Sequence, residues 1–298
     1  MAIKKDKKIW NGKTILVVNS GTERQRFVFE TAKKLGLKVV ILNDRQNWST
    51  KYAKDFLLAD NFNHAKVLTI LRAYLQKHKI DGVVTFEEED VELTAKIAEE
   101  FNLIGNGVKT ALLTRNKYLM RKQLVALQVL QPNFMRITNS ADLQQAIKKI
   151  RFPAIIKPVA GTGNFFVVKV GDEDEAKEVF DYVKKNATPK FDPIFNYNGY
   201  EFLFESYADG PEVSVEAVTQ NGQTVIVAVV DKHTSDDPYF IELSDSLPSK
   251  FDKATLEKIE RAVLASHRAV GITNGVSHTE LCVTDKGPEV IEIASRMS

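Results

Sequence analysis

Between Lys13 and Phe101 apolar runs of strand length alternate with stretches of helical periodicity, and this alternation restricts the fold more than any other property of the chain. Residues Lys13–Ser20 read as a buried strand, Glu23–Leu35 carries apolar residues at helical spacing, and Gly36 ends it. Lys38–Leu42 is a second strand, Lys54–Ala59 a short third and Ala65–His78 a helix; Gly82–Phe86 is a further strand and Glu88–Phe101 a further helix. Strands separated by helices pair in parallel through right-handed crossovers, so an α/β, doubly wound parallel-sheet domain is predicted. The breaker cluster Gly105-Asn-Gly107 closes it, giving one domain over residues 1–106 and a second over 107–298.

The turn after the first strand, Asn19-Ser-Gly-Thr-Glu23, lacks the three-glycine dinucleotide fingerprint, which argues against a nicotinamide cofactor. The acidic run Glu87–Asp90 lies just past a parallel strand, where open sheets place ligands. A helix macrodipole favours the same residues in a first turn, so both readings stay open. A formal net charge of +2 over 298 residues implies no general attraction to nucleic acid or to a membrane surface. The apolar runs are too short to span a bilayer, and no signal-peptide pattern follows Met1. One cysteine, Cys282, excludes an intrachain disulfide and a cysteine metal cluster. A cytoplasmic protein that handles small molecules is expected.

The second half mixes helices with paired strands. Val108–Leu113 and Asn116–Leu127 have helical spacing, and the second carries Lys117, Arg121 and Lys122, charges of the kind that mark a solvated face. Asn133–Ile137 reads as a strand, followed by a helix to Ile150 capped by Asn139 or Ser140. Phe152–Pro158 then places Lys157 inside an apolar strand, where an ammonium must either snorkel to solvent or meet an anion. The loop with Gly161 and Gly163 directly after it offers backbone N–H groups to the same anion, phosphate for preference; a plain hairpin turn is the other reading of the glycine pair. Phe165–Val170 is the partner strand, Glu173–Asn186 a polar helix and Phe202–Tyr207 a strand. About Asn221-Gly222, the strands Glu212–Thr219 and Thr224–Val230 form a hairpin that sets Glu212 opposite Asp231. Thr234–Phe251 reads as a long loop able to close over a ligand, and Leu256–Val270 as an amphipathic helix ended by Gly271.

Val276–Val283 and Glu289–Arg296 are the last two strands. A turn centred near Lys286 sets Glu280 opposite Glu292, with Cβ atoms about 4.5–5.5 Å apart. Two like charges so placed destabilise a sheet unless a cation or a proton sits between them, and a hard divalent cation answers that. Strand alternation puts Glu292 and Arg296 on one face, with His278, Glu280 and Cys282 on the matching face of the partner strand, and turns Ile291 and Ile293 into the core. A register one residue off would pair either glutamate with something harmless.

From Asn116 to Arg296 this ordered set of residues resembles the ATP-grasp superfamily of ATP-dependent carboxylate ligases, among them types similar to L-amino acid ligases. The domain before it resembles the one that usually precedes the grasp. The resemblance implies an ATP-grasp domain of two α+β subdomains, with ATP held between two sheets. It implies that Lys117 and Lys157 contact the phosphates, with Gly161 and Gly163 in the loop over them. Glu205 and the backbone near Tyr207 would hold the adenine edge, and Glu212 the ribose hydroxyls. Lys232 would reach a phosphate, Glu280 and Glu292 would hold Mg²⁺ or Mn²⁺, and Arg296 would face the transferred group. The implied reaction activates a small acid, such as an amino acid, as an acyl phosphate for attack by an amine; a nucleotide-binding protein without turnover is the alternative. Homo-oligomerisation is left open. The family commonly has an asparagine metal ligand where this chain has Ala294, a place where some relatives also carry alanine. The family also continues past the arginine, so the end at Ser298 reads either as a fragment or truncated form of a longer ligase or as a chain that lacks part of the acceptor side.

Overall fold

The computed structural model describes residues 9–197, 199–235 and 238–297, and the chain parts into two compact units between Ala111 and Leu112. In the first unit four parallel strands, β1 (Thr14–Val18), β2 (Lys38–Asn43), β3 (Asp55–Leu58) and β4 (Gly82–Val84), lie in the order β3-β2-β1-β4. Alternating side chains send Leu16, Val18, Val40 and Leu42 to the face covered by the helices His64–Leu75 and Val91–Glu100. Val17, Val39 and Ile41 pack on the other face with Phe29 and Ala32 of the helix Arg26–Leu35. Helices on both faces make the sheet doubly wound, as its strand and helix rhythm predicts.

Two antiparallel sheets build the second unit. The smaller one contains β5 (Phe134–Ile137), β6 (Ala154–Pro158), β7 (Val168–Val170) and β8 (Phe202–Ser206), ordered β5-β8-β6-β7. Its buried face packs on the helices Ser140–Lys149 and Glu173–Asn186 through Ile156, Phe202, Phe204, Leu143 and Phe180. The N-cap of the first of these helices is Asn139, whose side chain accepts from the backbone N–H of Ala141 and Asp142. The strand expected from Phe165 starts only at Val168, because Asn164 and Phe166 take positive φ values of 58° and 61° and turn the chain before pairing begins.

The larger sheet contains β9 (Glu212–Gln220), β10 (Gln223–Thr234), β11 (Glu242–Ser246), β12 (Gly275–Thr284) and β13 (Gly287–Ala294), ordered β11-β10-β9-β12-β13. Val213, Val215, Leu281 and Ile293 form its apolar face against the helices Lys117–Ala126 and Lys253–Val270. Two expectations are corrected here. The segment Thr234–Phe251 is no plain loop, since Glu242–Ser246 pairs with β10 as the edge strand. A bulge at Val227 shifts the β9–β10 ladder by one residue, so Asp231 faces Val213 rather than Glu212.

Behind this sheet His267, 1% exposed, shares a hydrogen bond of 3.0 Å with the Thr279 hydroxyl through Nε2, and burial pushes its imidazole down to about 4. The folded state therefore prefers neutral His267, whereas the unfolded chain titrates near 6.5. Its contribution is fully present above pH 6.5 and is lost as pH falls through 4, about 3 kcal/mol in all. The His267→Gln variant should flatten the pH dependence of the urea midpoint in that window. A variant as acid-sensitive as the parent would contradict this.

Candidate active site

In β6, Ala154 and Ile156 face the helices, so alternation turns Ile155 and Lys157 to the opposite side, into a cavity. β8 does the same with Glu205, directly after Phe204, which together with Phe202 faces the core. Lys157 Nζ lies 2.7 Å from Glu205 Oε2, and both side chains are almost fully buried. The third member is Arg121, fully buried, whose Nε donates to Glu205 Oε1 at 2.7 Å and whose Nη2 donates to Oε2 at 3.1 Å. Burial alone would raise the Glu205 carboxyl, but the two cations hold it down to about 2. Lys157 is pushed below the usual lysine range by burial, and the nearby Arg121 and Lys117 charges lower it further against the pull of Glu205. One carboxylate thus serves two buried cations, and an anion beside Lys157 would complete the balance.

Lys117 and Arg121 are not on a solvated helix face; only Lys122 of the three is exposed. Lys117, Met120, Arg121 and Leu124 form one buried stripe at i, i+3, i+4 and i+7, so two cations stand where a core helix has apolar residues. That placement was the signal for Arg121, which the sequence reading passed over.

On the second sheet Glu280 faces Glu292, as expected. Lys232 Nζ and His278 Nε2 both bond Glu280 Oε1, the latter at 3.3 Å, and Lys117 Nζ bonds Glu292 Oε1 at 2.7 Å. Among the described residues no hydrogen bond reaches Oε2 of either glutamate. Burial would raise the Glu280 carboxyl, but His278 and Lys232 hold it well below the usual range. Burial would also lower His278, yet Glu216 and Glu280 raise it to about 9. Lys232 is likewise lifted above its ordinary value by Glu280 and Glu242 against the effect of burial. Glu212 is raised by burial and by the Glu280 charge. No group of three or more His, Cys, Asp or Glu side chains is arranged for a metal among the described residues. Two opposed carboxylates, each keeping one oxygen without a partner, nonetheless fit a Mg²⁺ that takes its remaining ligands from phosphate and water.

Of these groups Lys157, Glu205, Glu212 and Glu280 line a cavity of about 540 Å³ including its open mouth, whereas Arg121, Lys117, Lys232, His278 and Glu292 are not among its lining residues. Lys157, Glu205, Tyr207, Glu212, Glu280 and Ile291 line it, so Ile293 points into the core as expected while Ile291 does not. The reason is a bulge between Val290 and Glu292. Arg121 donates to the carbonyls of both Val290 (2.6 Å) and Ile291 (2.9 Å), successive groups that a regular strand would point in opposite directions. Cys282, read as a core side chain, also lines the cavity and donates to the Ala208 and Gly210 carbonyls; burial and neighbouring carboxylates push its thiol up to about 12.

At the mouth Tyr207 stacks on Phe240 with ring centroids 6.1 Å apart, and Lys169 Nζ sits 3.9 Å from the Tyr207 ring centre. The loop with Gly161 and Gly163 runs beside them, Gly163 at φ 61°, and Asn164 Nδ2 donates to the Phe240 carbonyl at 3.0 Å. The Glu205 carboxylate is taken up by Arg121 and Lys157, which leaves its main chain for any contact with a base. Arg296, just past β13, donates through Nη1 to the Met297 carbonyl and is not part of the cavity lining.

Residues 150–298 match the model of an ATP-grasp domain, and residues 29–104 match that of an ATP-grasp N-terminal domain. The crystal structure of L-amino acid ligase from Bacillus licheniformis superposes with a TM-score of 0.82 at 27% identity, over 97% of this chain and 68% of that one. Carnosine synthase 1 of Mus musculus is 25% identical over 97% of this chain, and the alanine–anticapsin ligase of Bacillus subtilis (strain 168) is 29% identical over 73%. The chain spans 37% and 48% of the lengths of those two proteins.

Proposed function

Since this chain belongs to the ATP-grasp family, we propose that it is a ligase that spends ATP, with Mg²⁺ or Mn²⁺, to join a small carboxylate to an amine. The observation that carries this reading is a buried lysine, Lys157, that shares Glu205 with Arg121 in a cavity also lined by Glu280, whose partner across the β12–β13 ladder is Glu292. Lys157 and Lys117 would bind the phosphates, Lys117 exchanging its present partner Glu292 for them. The metal, when bound by Glu280 and Glu292, would supply charge neutralisation along the phosphate chain. Tyr207 and the Glu205 main chain would hold the base, Glu212 the ribose, and Gly161 and Gly163 would let backbone N–H groups approach the phosphates. Lys232 would take up charge on the transferred group, and Arg296 would serve the acceptor side.

A carboxylate is a poor electrophile. One of its oxygens would attack the γ-phosphorus and displace ADP; the amine would then attack the acyl carbon, lose a proton and expel inorganic phosphate. Fixed cations in a cleft shielded from water stabilise the charge that gathers during the first transfer. Two of the named relatives, an alanine–anticapsin ligase and an L-amino acid ligase, favour an amino acid as a substrate. The molecule is expected to act on small molecules and not on nucleic acid or at a membrane; no helix among the described residues is long and apolar enough to cross one. A screen for ADP release over pairs of amino acids and amines tests the proposal. Release that requires both partners is expected. ATP binding with no ADP formed for any pair would favour a nucleotide-binding role without turnover.

A further inference from the structure

Glu280 receives both of its hydrogen bonds on one oxygen, and the donor that is not a lysine is itself held. His278 Nδ1 pairs with Glu216 Oε1 at 2.5 Å, while Nε2 reaches Glu280 Oε1. Both partners are carboxylate oxygens, and the ring spans them through its two nitrogens. The three residues belong to one surface of the larger sheet: His278 pairs with Glu216 on β9, and Glu280 lies two residues along β12. Across the other ladder His278 faces Ala294, whose methyl offers Glu280 no donor. His278 is only 8% exposed, which fixes its ring between the two carboxylates. From behind, Thr279 is tied to His267, which holds the strand at the residue between His278 and Glu280.

We infer that Glu216 and His278 are positioning residues, a relay that grips Glu280 by Oε1 and so presents Oε2 to the divalent cation. This rests on the ligase reading only in taking Glu280 as a metal ligand. Groups that orient a ligating side chain typically matter by 10- to 100-fold in metal affinity. The relay also accounts for Glu216, a charged side chain on the cleft side of β9 that the proposed chemistry does not otherwise use.

The test uses Mn²⁺ as the probe, its binding to the intact chain followed by electron paramagnetic resonance in the presence of a non-hydrolysable ATP analogue. His278→Ala and Glu216→Gln should each weaken Mn²⁺ about 10-fold or more, and the pair together no more than the stronger of the two. Affinity for the analogue without metal should stay unchanged, and His278→Gln, which keeps one N–H donor, should recover part of the loss. A thermal melt of each variant separates positioning from misfolding, and the isosteric Glu216→Gln stands in if His278→Ala does not fold. Unchanged Mn²⁺ affinity in Glu216→Gln, an equal loss of metal-free analogue binding, or no Mn²⁺ binding by the parent protein would overturn the inference. None of these readouts needs turnover, so a parent protein that binds Mn²⁺ through the relay yet releases no ADP would sink the ligase reading alone.

Discussion

Glutamine in place of Glu205 is expected to lower the free energy of unfolding by about 3–5 kcal/mol, the usual consequence of removing one partner from a buried ion cluster. The change leaves Arg121 and Lys157, both almost fully buried, facing each other without a counter-ion. Urea unfolding at pH 7 measures it. Adding Lys157→Met to Glu205→Gln should recover part of the loss, since the second substitution removes one of the stranded cations. The sign of the pH dependence follows from the depressed carboxyl. Its stabilisation is present above the ordinary glutamate value of 4.5 and disappears as pH falls from there to about 2. An unchanged midpoint in Glu205→Gln would mean that the cluster contributes nothing to the fold.

Glu292→Gln should leave the fold intact and cut ADP release by about a hundredfold or more, the scale typical for loss of a preorganised electrostatic contact. The amide keeps the shape but loses the charge, so Glu280 would face the cation alone while Lys117 loses its partner. Calorimetry with and without Mg²⁺ separates the two effects. Nucleotide affinity should drop in the presence of metal but not in its absence, where loss of the carboxylate frees Lys117 for the phosphates. Wild-type affinity for the metal–nucleotide complex would remove Glu292 from the site.

Much of this was legible before any coordinates. Strand and helix rhythm gave the doubly wound unit because buried parallel strands are continuous apolar runs, and Lys157 stood out because nothing apolar excuses an ammonium there. The facing of Glu280 and Glu292 was read correctly for a reason that was only half right. The reading took a regular ladder about a turn near Lys286; the chain has a tighter turn at Asp285-Lys286 and an extra residue at Ile291, and the two departures cancel. No such cancellation rescues the β9–β10 hairpin, where the bulge at Val227 moves Asp231 away from Glu212. Bulges depend on what grips the strand from outside, and no local pattern encodes that. β11 was missed because four of its five residues are exposed and its sequence, Glu-Leu-Ser-Asp-Ser, has none of the apolar alternation that marks a covered strand. Arg121 was missed because its charge was given more weight than its place in the stripe with Met120 and Leu124.

The grip of Arg121 on two consecutive carbonyls means that the β12–β13 hairpin is no portable cassette. Transplanted to a foreign scaffold without that arginine, the strand would have no reason to keep its kink, would relax into ordinary pleating, and would carry Glu292 out of step with its neighbour. Anyone borrowing the hairpin to build a cation site in a designed sheet would have to bring along a clamp that lies about 170 residues away in the chain.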